Sequence, residues 1–260
     1  MSHIPLLACF FCRQNPSHRA AIPLPVSLSL RGLLPQGALD LRRAVYIRHF
    51  RLSNGAVART KVYAHRQRRS LLVTQVAVHT GSCQHECGRA LPLVDTGAGN
   101  QPSSTDIDWH VSRQVVAGTQ VYVWQGNTRE AEIDGIRRPT VAVVFPVDAV
   151  SAAASGRAVI TAIRTSLDGL HPVTMAVEDF EAASQLPPAD LFAEHERAWT
   201  RLWQAGLEVE GRDAVAKTVN SSLYFLLSSL RDDVAQSVSP GGLASNGYNG
   251  HTFWDCETWM

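Results

Sequence analysis

Long hydrophobic runs are absent from this sequence, since no segment approaches the roughly 18 to 20 apolar residues that a membrane helix requires. An excess of charge of one sign is absent too: 24 lysines and arginines stand against 23 acidic residues, and the formal net charge is +1. No broad electrostatic field therefore favours nucleic acid or an anionic membrane, and we predict neither as a partner. A hydrophobic content of 45% is typical of a globular protein, and 260 residues suffice for one large domain or two modest ones.

Cysteine is scarce as well. The five cysteines are odd in number and low in density, so they imply no disulfide framework. The pair Cys9-x-x-Cys12 has no second pair downstream, and Cys83-x-His85-x-Cys87 lacks the spacing of a common zinc site. The sequence therefore predicts no metal site.

Basic residues cluster once, in the run His65-Arg66-Gln67-Arg68-Arg69. Binding to nucleic acid would require a wider basic face than this run supplies. We interpret the run as a solvated strand end or turn.

The middle of the chain has the pattern of short β-strands. Apolar and β-branched side chains recur mostly with period two in runs near 45–50, 57–63, 71–78, 107–116, 119–124, 140–147 and 158–163. Turns are predicted at Ser53-Asn54-Gly55, where Asn-Gly tolerates positive φ, and at Gly118-Thr119, Gly126-Asn127 and Asp134-Gly135. Many short strands with turn signals predict an antiparallel β-sandwich over residues 38–185. Residues 1–37 show little periodicity and several prolines, and we predict an atypical or disordered leader there.

The pattern changes to helical after Leu186-Pro187-Pro188, because these prolines cannot continue a strand ladder. Asp190 is a candidate N-cap, and a stripe at four-residue spacing follows before Gly206 ends the helix, comprising Leu191, His195, Trp199 and Trp203. We assign residues 186–210 to a helical linker. A second helix is predicted from Asp213, with an apolar stripe of Val215, Val219, Leu223, Leu226, Leu227 and Leu230, and Ser239-Pro240-Gly241-Gly242 breaks the chain after it.

The last fourteen residues, 247–260, combine aromatic, histidine and carboxylate side chains behind two glycines. A pyranose requires such neighbours, since its C–H face packs on an indole and its hydroxyls donate to carboxylate oxygens. The alternative interpretation is a helix start buried in a core, with Phe253, Trp254 and Trp259 as packing residues.

The order of these residues, G-Y-N-G-H-T-F-W-D-C-E-T-W-M, closely resembles a signature of glycoside hydrolase family 65. That family includes acid trehalases, protein-glucosylgalactosylhydroxylysine glucosidases, and the maltose, trehalose and kojibiose phosphorylases. Its members have a β-sandwich domain, a helical linker and an (α/α)6 barrel that holds the active site. The resemblance implies that residues 211–260 form the first helices of such a barrel, which is incomplete here. The context Ser239-Pro240-Gly241-Gly242-Leu243 is most similar to the glucosidase branch.

By this resemblance the chain is expected to be the N-terminal part of a longer inverting α-glucosidase. Such enzymes use one carboxylic acid to protonate the leaving oxygen and one carboxylate to activate water, and they need no cofactor. Both catalytic groups are expected beyond Met260, so the chain alone is expected to be inactive. The substrate-binding residues implied by the resemblance are Trp254 and Asp255 at the terminal glucose, Phe253 behind them, Tyr248 and His251 at the pocket wall or loop, and Glu257 in a supporting role.

Several alternatives stay open. The substrate is expected to be a glucosyl disaccharide unit of the glucosyl-galactosyl-hydroxylysine, trehalose or kojibiose type. A disaccharide phosphorylase of the same family and a non-catalytic carbohydrate-binding protein are the two other functional hypotheses. A cytoplasmic location is favoured over a secreted or vacuolar one, and no feature indicates an oligomeric state.

Overall fold

The computed structural model describes residues 3–4, 11–12, 18–31, 33, 35–52, 55–79, 92–131, 137–233, 238–242, 248 and 252–254. The strands in these ranges are β1 (His3–Ile4), β2 (Phe11–Cys12), β3 (His18–Arg19), β4 (Ile22–Pro23), β5 (Leu28–Leu30), β6 (Gln36–Asp40), β7 (Val45–Arg51), β8 (Val57–Ala64), β9 (Leu71–His79), β10 (Leu93–Asp95), β11 (Ile107–Val116), β12 (Thr119–Thr128), β13 (Thr140–Pro146) and β14 (Val159–Thr165). The helices are α1 (Ala149–Ala154), α2 (Pro172–Ser184), α3 (Pro188–Leu202), a 3-10 turn (Trp203–Ala205) and α4 (Asp213–Ser229).

Eight strands form one antiparallel sheet in the order β11-β12-β13-β14-β9-β8-β7-β6. The hairpin predicted around Asn54 is confirmed, because β7 pairs with β8 from Arg51 opposite Val57; residues 53 and 54 themselves lie outside the described residues. The turn predicted at Gly118 is also confirmed. Val116 pairs with Thr119, and both Ala117 and Gly118 between them have positive φ, as a two-residue hairpin turn requires. The turn predicted at Asp134-Gly135 lies outside the described residues.

The large sheet is buried on both faces. Alternate residues of the central strand β13 point to opposite sides, so Val143 and Phe145 join one core and Ala142 and Val144 the other. The first core is covered by β4, by α1 and by a small antiparallel sheet of β5 with β10. The second is covered by α2 and α3. A large antiparallel sheet facing a small one is consistent with the predicted β-sandwich, although the opposite face is covered by helices and not by strands.

The structure differs from the predicted leader for residues 20–30. Ile22, Leu28 and Leu30 are fully buried in the first core, and β5 pairs with β10 from Leu30 opposite Leu93. The prolines of this segment, Pro23 and Pro25, are accommodated because the segment crosses the sheet face in short pieces and not as one long strand. Packing against the sandwich therefore begins well before residue 38.

Helix α2 is an element that the sequence analysis missed. Its buried residues Ala176, Phe180 and Ala183 have the spacing of one helix face, and Pro172 stands in its first turn, where the missing N–H costs nothing. The small alanines weaken the hydrophobic signal, and the helix was therefore included in the strand-rich region.

Helix α3 begins three residues earlier than predicted. The prediction of Asp190 as N-cap is wrong, because Pro187 is the N-cap residue and Pro188 is the first helical residue. Asp190 lies in the first turn, where its carboxylate interacts favourably with the helix dipole. The helix ends at Leu202, and the 3-10 turn that follows ends at Gly206, close to the predicted end.

Helix α4 begins at Asp213, where it was predicted, but none of its residues is fully buried. Val215, Leu226 and Leu230 of the predicted stripe are each about two-fifths exposed. As this is the single helix described after the linker, the (α/α)6 barrel stays a prediction. None of the helices in the described ranges is long and apolar enough to cross a membrane.

Strand β12 continues through Gly126 and Asn127, so the turn predicted there is wrong. Gly126 pairs with Trp109 of β11, and a Cβ at this position would lie 2.5 Å from Ile107 Cγ2 and 2.7 Å from the carbonyl oxygen of Asp108. The glycine therefore serves a close approach of two strands and not a change of chain direction.

We expect Gly126→Ala to lower the free energy of unfolding by about 1–3 kcal/mol, because the added methyl group must displace backbone as well as side-chain atoms. Urea unfolding followed by tryptophan fluorescence measures this change. Gln125→Ala, at the exposed neighbouring position of the same strand, is the matched control and should stay within about 0.5 kcal/mol of the parent protein. Equal stabilities of the two variants would contradict the assigned packing.

Candidate functional site

The described part of the signature segment consists of Tyr248 and residues 252–254. The rings of Tyr248 and Phe253 meet edge to face, with centroids 5.6 Å apart. Trp254 is 80% exposed, Tyr248 63% and Phe253 42%. The structure thus brings two of the predicted site residues together and presents the indole of Trp254 to solvent, so the alternative of a buried core tryptophan does not describe Trp254.

Three further predicted site residues, His251, Asp255 and Glu257, lie outside the described residues. The pairing of the Trp254 indole with the Asp255 carboxylate around a glucose therefore stays a prediction from the sequence.

The turn at residues 239–242 holds the chain just before this segment. The Gly242 N–H donates to the Ser239 carbonyl oxygen at 2.7 Å, and Ser239 is buried. Gly242 has a φ of +52°, and a Cβ there would lie 3.0 Å from Ser229 Oγ in the last turn of α4. The predicted break at Ser-Pro-Gly-Gly is therefore a turn folded back onto the end of α4, and its last glycine is required both by the positive φ and by the close contact.

Helix α4 is held against α3 by aromatic side chains. Trp199 of α3 is 3% exposed, and its ring stacks on that of Tyr224 with a centroid distance of 5.5 Å and an interplanar angle of 27°. Trp203, in the 3-10 turn that follows α3, lies 6.4 Å from Trp199. Of these two tryptophans, Trp199 therefore supplies the aromatic contact with α4.

Two fully buried histidines connect the sandwich to α3. We refer to residues 65–70, which join β8 to β9, as the hairpin tip. His65 of the hairpin tip has Nε2 2.9 Å from the Leu191 carbonyl oxygen, and its Nδ1 accepts the Arg68 N–H at 2.9 Å. His195 of α3 has Nε2 2.7 Å from the Arg43 carbonyl oxygen, and its Nδ1 accepts the Arg66 N–H at 3.1 Å.

These partners fix the tautomer of both rings. A carbonyl oxygen can only accept and a backbone N–H can only donate, so each imidazole carries its proton on Nε2 and leaves Nδ1 unprotonated. Burial lowers the pKa of His195 to about 4 and also lowers the pKa of His65. Glu194 Oε2 approaches His65 Nε2 to 3.9 Å, but this contact is not an ion pair, because a neutral ring already donates to Leu191. Both histidines are therefore structural donors and acceptors in their neutral form.

The arginine run forms the predicted turn at a strand end, but its arginines are paired and not simply solvated. The Arg66 guanidinium lies over the Trp199 ring at 5.6 Å and donates to the carbonyl oxygens of Leu227 and Leu230. Arg68 donates to both carboxylate oxygens of Glu194 on α3, at 2.8 and 3.3 Å, and Arg69 is paired with Asp232 and Asp233. The partners lie more than 120 residues away in sequence, which is why no local signal revealed them.

Neither of two clefts lined by described residues combines an aromatic face with a carboxylate. One, of about 150 Å³, lies between the ends of β12, β14 and α2 and is lined mainly by apolar residues, among them Ile160 and Phe180. The other is an open groove along α3 whose charged residues include Arg43 and Glu196, already paired with each other at 2.8 Å. The geometry thus gives neither cleft the features of a sugar site.

Metal binding has no support in the described ranges, where no group of three His, Cys, Asp or Glu side chains is placed to hold an ion. The Cys83-x-His85-x-Cys87 run lies outside those ranges.

Comparison with known proteins gives several relatives, although no model of a protein family matches the chain. The protein-glucosylgalactosylhydroxylysine glucosidase of Dictyostelium discoideum is 29% identical over 252 residues, which is 94% of this chain and 35% of the relative. That of Danio rerio is 25% identical over 94% of this chain and 38% of the relative. The kojibiose hydrolase of Mucilaginibacter mallensis is 41% identical over 70 residues, 27% of this chain.

The fold has a counterpart in a solved structure described as a candidate kojibiose phosphorylase from the human microbiome. It superposes with a TM-score of 0.62 and 13% identity and covers 99% of this chain and 38% of that one. These three proteins match 94–99% of this chain, but the chain spans only 35–38% of their length. These relatives confirm the predicted resemblance to the glycoside hydrolases of family 65.

We expect the free energy of unfolding to fall as the pH falls from about 6.5 towards about 4. The His195 pKa is about 4 in the folded chain and about 6.5 in the unfolded chain, so the unfolded state takes up its proton first. The stability contributed by neutral His195 is fully present above the unfolded pKa, and about 2 kcal/mol of it is lost between pH 7.5 and 5. Urea unfolding across this pH range measures the slope.

His195→Gln provides the specific comparison, because glutamine does not titrate. In this variant, the slope of the free energy of unfolding against pH should decrease by the contribution of up to one proton. His110→Ala, at an exposed position of β11, should leave that slope unchanged. A parent-like slope in His195→Gln would show that His195 is not the group responsible.

Proposed function

We propose that the protein carrying this chain is an inverting α-glucosidase of the family 65 type, acting on a glucosyl disaccharide unit of the glucosyl-galactosyl-hydroxylysine, trehalose or kojibiose type. The observation that carries this proposal is homology along 94% of the chain to enzymes named protein-glucosylgalactosylhydroxylysine glucosidase. Two relatives named kojibiose hydrolase, 41% and 44% identical over 70 residues, support hydrolysis of a glucosyl disaccharide.

Trp254 and Asp255 bind the terminal glucose in this proposal. An indole that is 80% exposed offers a face on which the C–H groups of a pyranose can pack. The adjacent carboxylate accepts hydrogen bonds from ring hydroxyls, each contributing about 1.5–3 kcal/mol. Phe253, in contact with Tyr248, supports the tryptophan from behind, and His251 and Glu257 complete the wall of the pocket.

The chemistry requires two carboxyl groups, about 6.5–9.5 Å apart, on opposite sides of the glucosidic bond. One protonates the leaving oxygen, and the other removes a proton from the attacking water. Neither role is assigned to a residue of this chain. The contribution of the chain is to hold the glucosyl unit in position for that attack.

A disaccharide phosphorylase is the second candidate. The kojibiose phosphorylase of Halothermothrix orenii is 32% identical over 96 residues, 36% of this chain. In that reaction inorganic phosphate replaces water as the nucleophile and glucose 1-phosphate replaces glucose as the product. The longer homology to enzymes named glucosidases favours the hydrolase.

We expect Asp255→Ala to lower kcat/KM on a glucosyl disaccharide by roughly 100-fold or more in the protein as its gene encodes it, since it removes hydrogen bonds at the reacting sugar. Asp108→Ala is the matched control, because this exposed carboxylate of β11 pairs with Arg129 on the sheet surface. Its kcat/KM should stay within about twofold of the parent value. Unchanged turnover in Asp255→Ala would refute the assignment of the glucose site.

A product assay in the presence and absence of inorganic phosphate separates the hydrolase from the phosphorylase. We expect glucose to be released at the same rate in both conditions, with no glucose 1-phosphate. Formation of glucose 1-phosphate that depends on phosphate would establish the second candidate, and binding of the glucoside without turnover would favour a carbohydrate-binding protein.

A further inference from the structure

The hairpin tip of the sandwich terminates helix α4. The last carbonyl groups of a helix have no partner within it and must find one elsewhere. Here Leu230, the C-cap residue, is extended, with φ −96° and ψ 142°. The Arg66 guanidinium donates to the Leu230 carbonyl oxygen at 2.8 Å and to that of Leu227 at 3.0 Å. A cation at this end also interacts favourably with the helix dipole.

Helix α3 fixes the position of Arg66 through two contacts. Its backbone N–H donates to Nδ1 of the buried His195. Its guanidinium lies over the buried Trp199, the same ring on which Tyr224 of α4 stacks. Burial lowers its pKa from the usual arginine value, but an arginine keeps its charge under any physiological condition. The Arg66 side chain, which caps the end of α4, is thus held in place by α3.

The chain that leaves α4 is tied to the sandwich as well. Arg231 donates to Asp168, in the connection between β14 and α2, at 3.1 Å, and to Asp233 at 2.9 Å. Arg69 of the hairpin tip pairs with Asp233 at 2.7 Å and also with Asp232. The turn at residues 239–242 then packs on Ser229 of α4. The segment from residue 230 to residue 242 therefore has anchors at both ends.

We propose that Arg66 is a positioning residue for the glucose-binding segment 247–260. By capping α4 at Leu227 and Leu230, it fixes the point from which the chain proceeds to Tyr248 and Trp254, and so transmits the position of the sandwich to the sugar site. This inference rests on the proposed function for its kinetic consequence but not for its structural one. Arg66 itself does not touch the sugar.

The test compares Arg66→Met and Arg66→Lys in the protein as its gene encodes it. Methionine keeps an unbranched stem over Trp199 but donates no hydrogen bond, and lysine keeps the charge without the planar fork that serves two carbonyls. Arg113→Met is the matched control. Arg113 also lies over an aromatic ring, that of Tyr122 at 4.7 Å, and donates to the Tyr122 hydroxyl. It stands on β11, an edge strand of the large sheet.

The first measurement is amide hydrogen exchange. For Arg66→Met we expect exchange in peptides covering residues 227–254 to accelerate on the order of tenfold, since a lost helix cap permits local opening. Exchange in β12 and β13 should stay unchanged. Arg66→Lys should give a smaller acceleration, and Arg113→Met none in residues 227–254. Parent-like exchange of residues 227–254 in Arg66→Met would overturn the inference. If that variant does not accumulate as folded protein, parent-like exchange in Arg66→Lys would overturn it equally.

The second measurement is kinetic. A residue that positions the glucose-binding segment should change the KM for a glucosyl disaccharide, so we expect a rise on the order of tenfold in Arg66→Met and partial rescue in Arg66→Lys. A residue that only adds stability would lower the amount of folded enzyme and leave the KM unchanged, and that outcome would overturn the positioning role. Accelerated exchange in Arg66→Met together with unchanged turnover in Asp255→Ala would sink the proposed function and leave the structural inference standing.

Discussion

Two uncharged imidazoles determine how the sheet and the helices of this protein fit together. His65 and His195 are each 0–2% exposed, their ring centroids are 5.7 Å apart, and each ring satisfies one backbone carbonyl and one backbone N–H. A buried polar group that lost such partners would cost several kcal/mol. The two rings therefore permit one placement of α3 on the sheet, in which Leu191 lies opposite His65 and His195 lies opposite Arg43. Aliphatic side chains of the same volume would fill the space without specifying that register.

The same two rings determine the shape of the hairpin tip. Because Nδ1 of His195 receives the N–H of Arg66 and Nδ1 of His65 receives the N–H of Arg68, the connection between β8 and β9 has a fixed course. Consequently the Arg66 side chain reaches α4, that of Arg68 reaches α3, and that of Arg69 reaches residues 232–233. The hairpin tip thus contacts α3 and α4 through a few polar, directional groups, while Leu191 and Phe192 of α3 add apolar contacts with the second core. Trp199 and Tyr224 supply an aromatic contact between α3 and α4.

Local patterns in the sequence were sufficient for most of the strands and for the signature. The period-two runs and the turn signals at Asn54-Gly55 and Gly118-Thr119 specify hairpins between neighbours in sequence, which is the kind of structure that short-range preferences determine. The errors occurred where a distant partner decides. The turn signal at Gly126 is misleading, because a glycine is needed there for the close approach of Ile107 and Asp108. Leu28 and Leu30 give no local signal of a strand, because their partners on β10 and the large sheet lie at least 20 residues away. The arginine run gives no local sign of its contacts, because its carbonyl and carboxylate partners are 126 to 164 residues distant.

The candidate site divides in the same way. The chemistry proposed for it stays a prediction from the sequence, in which the order of rare residue types in residues 247–260 is the signal. Its placement could not be predicted, because it depends on how α4 ends and on the turn that returns from Ser239 to Gly242 against Ser229. An indole that is four-fifths exposed at the end of this path contributes little to stability, since burial of apolar surface is what stabilises a fold. In the proposed function its role is to contact the sugar, because a flat, rigid, apolar ring next to a carboxylate suits a pyranose. Neither of the two clefts described above combines an aromatic face with a carboxylate. Under the proposed function, the sandwich therefore serves sugar binding by fixing the exit of α4 through the residues of the hairpin tip.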